Sequence, residues 1–142
     1  MITAVDTDVL VHWAMQGASQ HQSMRRLWQR EIANGNGLGL TPQVFSEFLH
    51  IVTDPKRFPR PMSMDQGLEM AERLRGAKEI VHILPDSSVP NRVAELMRRF
   101  SLGRKRILDT MLAATLDAAS ITRLATLNPK HFQIFSFLDL VK

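Results

Sequence analysis

Short apolar runs alternate with segments of helical periodicity along the whole chain. Most of the apolar runs predict β-strands, at 2–5, 80–84, 123–126 and 138–141, and residues 38–40 form a further short apolar run. The periodic segments predict helices beginning near Val9 and covering 20–33, 42–53, 63–77, 89–103 and 107–119. This alternation predicts an α/β fold, a three-layer α/β/α sandwich with a mostly parallel central sheet, built as a single domain over residues 1–142.

Helix boundary signals support these assignments. Thr41 followed by Pro42 is typical of an N-cap and first helical position. Ser63 and Gln66 have the spacing of a capping box. Gly103 is expected to close the helix that starts at residue 89.

Three carboxylates stand where an acid is costly to place. Asp6 ends the first apolar strand, at the sheet edge where α/β proteins build their sites. Glu47 lies in an apolar stripe of its helix, and Asp109 is near the start of another helix, where the dipole favours its charge. Asp8 is interpreted as the N-cap of the first helix. The other acids, Glu31 among them, are interpreted as surface or turn residues.

Each of these three acids also has a structural explanation, as a cap, a helix-edge residue or a first-turn residue. If the fold brings them together, they repel one another and stay ionised only around a hard cation such as Mg²⁺ or Mn²⁺. The chain has no cysteine, so any metal must be held by oxygen or imidazole ligands. The net charge of +4, with more arginine than lysine, suits a polyanionic partner but also an ordinary basic surface.

Four segments, in order along the chain, resemble the motifs of PIN-domain ribonucleases of the VapC toxin type. They are VDTDVLVH with Asp6, TPQVFSEFLHIV with Glu47, LDTMLAATL with Asp109, and RLATLNPKHF. Together with the last strand they span residues 2–142, so the resemblance covers the whole chain.

The chain departs from the family pattern at four positions. Asp8 stands where the family usually has Asn. Asn128 and His131 stand in the fourth segment, where acids are common, so the chain carries three family acids and a second metal ion is in doubt. Ser120 replaces a common helix-ending glycine.

The resemblance implies an endoribonuclease that depends on Mg²⁺ or Mn²⁺ and hydrolyses RNA with metal-activated water. Asp6, Glu47 and Asp109 would be the catalytic metal ligands. Thr7, Thr126 and Asn128 could orient them, and these residues could also make only ordinary hydrogen bonds. Candidate RNA contacts are Arg104, Lys105 and Arg106, with the loop residues Lys56, Arg57 and Arg60. The implied partners are RNA, a cognate antitoxin and a second copy of the chain.

Two alternatives of other kinds remain at this level. The chain could be a non-catalytic module that binds RNA or a protein, including a receiver-like domain with Asp86. The Asp-x-Asp pair at 6 and 8 also resembles the nucleophile motif of haloacid-dehalogenase-like phosphatases, whose other motifs are not evident. No apolar run is long enough to span a membrane, and Asp6 and Asp8 interrupt a signal-peptide core, so we expect a cytoplasmic protein.

Overall fold

One parallel sheet organises the chain. The computed structural model describes residues 1–141, and within them five strands form the order β3-β2-β1-β4-β5, every neighbouring pair parallel. The strands are β1 (Ile2–Val5), β2 (Gly37–Leu40), β3 (Ile80–His82), β4 (Arg123–Ala125) and β5 (Asp139–Val141). The predicted α/β class is confirmed, and the expected mostly parallel sheet is parallel at every pairing of the described strands.

Helices connect the strands. They are α1 (Thr7–Ala14), α2 (His21–Ala33), α3 (Pro42–Val52), α4 (Met64–Gly76), α5 (Val89–Arg99) and α6 (Ile107–Ala118), with short 3₁₀ turns at Arg104–Arg106 and Pro129–His131. None of these helices, within residues 1–141, is long and apolar enough to cross a bilayer.

The strand order places the helices in two layers. The chain adds β2 and β3 on one side of β1 and then crosses back to place β4 on the other side. Parallel crossovers are right-handed, so the helices before and after this reversal lie on opposite faces of the sheet. Helices α1 to α4 therefore cover one face and α5 and α6 the other, in agreement with the packing of α1 on α2 and α3 and of α5 on α6.

Several predicted helix boundaries agree with the structure. The Thr41 hydroxyl accepts a hydrogen bond from the Val44 backbone N–H at 3.2 Å, and Pro42 is the first residue of α3. Both hydrogen bonds of the capping box between Ser63 and Gln66 are present. These local signals were sufficient because each involves residues no more than three positions apart.

Two predicted boundaries are wrong. Helix α1 begins at Thr7, capped by Asp6, so Asp8 lies in the first turn and is not the N-cap. The backbone N–H of Asp6 still donates to Ala125 in the sheet, and its extended ψ of 158° leads directly from strand to helix. Helix α5 ends at Arg99, before Gly103.

Two serines adopt the left-handed backbone conformation. Ser101, just after α5, has φ of 52°, and Ser120, just after α6, has φ of 57°. A non-glycine residue is disfavoured there, which agrees with the family's common use of glycine at the position of Ser120. The chain thus ends both helices on the second face with serine in place of glycine.

Glu31 is a buried acid, and its interpretation as a surface or turn residue is wrong. The residue is only 2% exposed. Its carboxylate accepts hydrogen bonds from the Thr3 hydroxyl, from Arg123 Nη2 at 2.8 Å and from Asn36 Nδ2 at 3.3 Å. Burial raises the pKa of Glu31, but these hydrogen bonds and the charge of Arg123 outweigh burial and leave the pKa below its ordinary value. The hydrogen bonds of Glu31 to Thr3 and Arg123 connect helix α2 to the amino ends of β1 and β4.

The reversal in strand order creates a crevice at the carboxyl ends of β1 and β4. The connections leaving these neighbouring strands run to opposite faces of the sheet, and such a switch point is where open α/β sheets bind ligands. Asp6 directly follows β1 and Thr126 directly follows β4. The fold therefore places the first candidate acid at this crevice.

Candidate active site

A cavity of about 450 Å³ opens at the crevice beyond β1 and β4. Its lining includes all three predicted acids, together with Asp8: the lining residues are Asp6, Thr7, Asp8, Ser46, Glu47, His50, Ile51, Leu108, Asp109 and Asn128. The cap and first turn of helix α1, helices α3 and α6, and Asn128 after β4 contribute to it. The convergence expected from the sequence is therefore present.

Asp6 is the most buried of these acids, at 9% exposed. Its Oδ1 accepts a hydrogen bond from the Thr7 backbone N–H, and its Oδ2 accepts one from the Thr126 hydroxyl, both at 2.8 Å. Burial raises the pKa of Asp6 to about 6, and the charges of Asp8 and Asp109 add to this, while the two hydrogen bonds oppose it. The site thus holds a carboxylate that is short of positive charge.

Asp8 faces the same cavity from the first turn of α1. Its Oδ2 accepts a hydrogen bond from Asn128 Nδ2 at 2.7 Å, across 120 positions of sequence. This contact joins the first predicted motif to the fourth.

Glu47 projects from α3 toward the strand end. The Thr7 hydroxyl donates to Glu47 Oε2 at 2.5 Å, which links the second predicted motif to the first. Helices α1 and α3 pack against each other, so this hydrogen bond spans a helix interface. Thr7 therefore contacts one acid through its backbone and another through its side chain.

Asp109 lies in the first turn of α6 and is partly exposed, with 24% of its side chain accessible. Its Oδ2 is 3.1 Å from His131 Nδ1 and 3.7 Å from Arg106 Nε. Burial raises the pKa of Asp109 and nearby Asp8 adds to this, whereas His131 and Arg106 lower it, and the net shift is upward. Protein groups thus only partly compensate the charge of Asp109.

The comparisons with known proteins agree with this architecture. The PIN domain family profile matches residues 3–136. The chain belongs to the PIN domain family. No curated protein sequence matches it.

Solved structures share the PIN fold with this chain at low sequence identity. VapC20 of Mycobacterium tuberculosis, a toxin that cleaves the sarcin–ricin loop, has a TM-score of 0.67 at 15% identity, covering 87% of each chain. VapBC2 from Rickettsia felis, bound to a promoter DNA fragment, has a TM-score of 0.67 at 18% identity, covering 99% of this chain and 98% of that chain. FitAcB from Neisseria gonorrhoeae has a TM-score of 0.64 at 17% identity, covering 100% and 97%.

The donor set of this PIN domain fits a hard divalent cation. The cavity presents carboxylate, amide and hydroxyl oxygens, the ligands that Mg²⁺ and Mn²⁺ prefer. Within residues 1–141, no three His, Asp or Glu side chains are arranged so that they could hold one metal ion together. The residue types that line the cavity therefore fit a cation chemically.

The two basic clusters differ in their relation to the cavity. Arg104 and Lys105 are exposed on the 3₁₀ turn that leads into α6, whereas Arg106 turns inward to the His131 carbonyl and to Asp109. The loop cluster of Lys56, Arg57 and Arg60 is exposed and does not line the cavity.

Sequence reasoning missed part of the cavity wall. Ser46 and His50 flank Glu47 on one face of α3, and the helical spacing of three residues between 47 and 50 could have indicated His50. Gln43, four residues before Glu47, donates from Nε2 to the Leu108 carbonyl at 2.9 Å and so bridges α3 to α6. No local signal indicates that bridge, because its ends are 65 positions apart.

Proposed function

We propose that this PIN domain is a divalent-metal-dependent endoribonuclease of the VapC type, the toxin of a toxin–antitoxin pair. The observation that carries the proposal is the convergence of Asp6, Glu47 and Asp109 on one cavity at the switch point of the sheet. These acids come from three segments separated by 41 or more positions, and only the fold unites them. Family membership and fold likeness to toxin structures support the same activity.

Asp6, Glu47 and Asp109 would hold the cation. When bound, a divalent cation supplies positive charge to the scissile phosphate and lowers the pKa of water at the site. The Thr126 hydroxyl holds the Asp6 carboxylate through a hydrogen bond, and the Thr7 hydroxyl holds that of Glu47. The buried position of Asp6 limits competition from bulk water.

Cleavage of RNA by the purified protein tests the proposal. Wild type is expected to cut single-stranded RNA internally with Mg²⁺ or Mn²⁺ and not in excess chelator. Asp109→Asn is expected to lower kcat/KM at least about 100-fold, because it removes a carboxylate while keeping side-chain size. Asp65→Asn is the matched control, since Asp65 is also a first-turn aspartate but lies exposed on α4. Undiminished cutting in chelator would contradict the mechanism.

A second outcome separates the alternatives. If the protein binds RNA without cutting it under any metal condition, the non-catalytic binding module is favoured. The geometry of the site does not support the receiver-like alternative, because Asp86 is exposed and does not line the cavity. The phosphatase alternative is inconsistent with membership of the PIN domain family across residues 3–136.

RNA is expected to contact the exposed turn before α6. Arg104→Glu with Lys105→Glu should raise KM and leave kcat nearly unchanged, because phosphate contacts position the strand without doing chemistry. The slope of log Kd against log salt should fall by about 0.7 for each phosphate of single-stranded RNA that the variant no longer neutralises. Arg73→Glu with Lys78→Glu is the control of equal charge change, near the amino end of β3 and so at the opposite sheet edge. An unchanged KM and an unchanged salt slope would show that RNA does not contact this turn.

The proposed partners are a cognate antitoxin and a second copy of the chain. Support for the antitoxin comes from the structural neighbours, which include a toxin–antitoxin complex from Klebsiella pneumoniae with a TM-score of 0.64 at 16% identity, covering 99% of this chain and 96% of that chain. An antitoxin that covers the cavity would suppress cleavage, and both proteins would act in the cytoplasm, where the RNA substrate lies. Molar mass from light scattering, with and without the product of the adjacent reading frame, distinguishes a monomer, a homodimer and a mixed complex.

A further inference from the structure

We propose that Asp8 is a fourth carboxylate ligand of the metal site, presented to the cavity by Asn128. This inference rests on the proposed metal-dependent function and goes beyond it, since the predicted ligand set contains only Asp6, Glu47 and Asp109.

The hydrogen bonding of Asp8 leaves one carboxylate oxygen for a ligand. Oδ2 accepts the hydrogen bond from Asn128 Nδ2 at 2.7 Å, whereas Oδ1 accepts none from any group within residues 1–141. Asp8 is half-buried and lines the cavity. A cavity-lining carboxylate with one oxygen held by the protein and no hydrogen bond to the other suits an oriented metal ligand.

A purely structural role does not account for the position of Asp8. The cap of α1 is Asp6, so Asp8 is not needed for capping. A first-turn acid is stabilised only modestly by the helix dipole. Against this gain, Asp8 lines the same cavity as Asp6 and Asp109, so it adds a like charge to a site that already holds two. A shared cation would turn this repulsion into attraction.

Asn128 connects Asp8 to the most buried acid of the site. Its backbone N–H donates to the Thr126 hydroxyl at 3.0 Å, and that hydroxyl donates to Asp6 at 2.8 Å. One short segment after β4 therefore orients both carboxylates of the first motif. Because Asn and Asp are nearly isosteric, the pair of Asp8 and Asn128 can be inverted while its hydrogen bond and its charge are kept.

Mn²⁺ binding measured by isothermal titration calorimetry tests the proposal independently of RNA cleavage. Asp8→Asn is expected to weaken Mn²⁺ binding at least about tenfold. The control Asp65→Asn, with the same chemical change in the first turn of α4, is expected to bind like wild type. Unchanged Mn²⁺ affinity in Asp8→Asn would overturn the proposal. Asp8→Ser, which also keeps a residue suited to a first turn, provides the same measurement if Asp8→Asn does not fold.

The inverted pair provides the decisive comparison. Asp8→Asn combined with Asn128→Asp returns one carboxylate to the same hydrogen-bonded pair and is expected to bind Mn²⁺ within about threefold of wild type. Failure of the second substitution to restore binding would count against a ligand role. If wild type neither binds Mn²⁺ nor cuts RNA, the proposed function fails together with this inference. If wild type does both and Asp8→Asn matches it, only the inference fails.

Discussion

Asp6→Asn is expected to abolish metal-dependent RNA cleavage and, at the same time, to stabilise the metal-free protein at neutral pH. The loss of activity should be at least about 100-fold, because the substitution removes the central buried carboxylate. The gain in stability follows from the raised pKa of Asp6, about 6 against an ordinary value of 3.8. Above pH 6 the folded protein holds an ionised carboxylate in an unfavourable position, at a cost of roughly 2–3 kcal/mol for about two pKa units.

The raised pKa of Asp6 determines how the free energy of unfolding should change with pH. The folded state binds the Asp6 proton more tightly than the unfolded state, so the free energy of unfolding falls as pH rises from about 4 to about 6. Asp6→Asn should lack this decrease, and the two proteins should differ most above about pH 6.5. Asparagine can still accept the hydrogen bond from the Thr7 backbone N–H, so the helix cap is retained.

Urea unfolding in chelator across pH 4 to 8 measures the effect. Asp65→Asn is the control, since its side chain is exposed at the first turn of α4. Saturating Mg²⁺ should stabilise wild type more than Asp6→Asn, because a cation relieves the same repulsion. Equal stability of the two proteins at pH 7 without metal would mean that the burial of Asp6 does not strain the site.

Arg123→Met is expected to lower the free energy of unfolding by about 3 kcal/mol. Arg123 donates to the buried carboxylate of Glu31 at 2.8 Å, and methionine keeps the aliphatic stem but removes the charge. Glu31, at 2% exposed, would then lose its hydrogen-bonded cation and keep the more distant Arg30, whose Nε lies 4.0 Å from Oε2. Removing one partner of a buried ion pair typically costs about 3–5 kcal/mol. The lower end of this range applies because the Arg123 side chain is 22% exposed.

The double substitution Glu31→Met with Arg123→Met tests the cause. It should regain most of the stability that Arg123→Met removes, because no buried charge remains. Arg26→Met is the control on the exposed side of α2 and should change the free energy of unfolding by less than about 0.5 kcal/mol. Urea unfolding with an unchanged m-value would show that the native fold is kept. A double variant as unstable as Arg123→Met alone would instead indicate poorer packing around the substituted side chains.

The acids at the two ends of strands β1 and β4 differ in how far the protein neutralises their charge. The network around Glu31 satisfies its charges at the amino ends of β1 and β4, whereas the acids at the carboxyl ends of the same strands are left short of positive charge. A residue pair that is compensated within the protein serves the fold. Acids that are not compensated are expected at sites that bind a cation.

Local signals in the sequence were enough for the fold class and for three of the acids. Apolar runs and helical periodicity depend on neighbouring residues, and they predicted strands β1, β3, β4 and β5, the capping of α3 and α4, and the parallel sheet that puts Asp6 at a strand end. Glu47 and Asp109 were recognised because each is an acid in an unusual helical position. The motifs around them indicated the PIN domain family, which the family match confirms.

Interactions between distant segments decided the rest. Which of two neighbouring aspartates caps α1 depends on the pairing of β1 with β4, since that ladder continues to Asp6 and makes the helix start at Thr7. The burial of Glu31 depends on Arg123, 92 positions away, and the orientation of Asp8 depends on Asn128, 120 positions away. Hydrogen bonds across such separations leave no periodic trace in a sequence. The chain alone therefore determined which residue types are available to the site, and the tertiary structure determined which of them are compensated and which remain available to bind a cation.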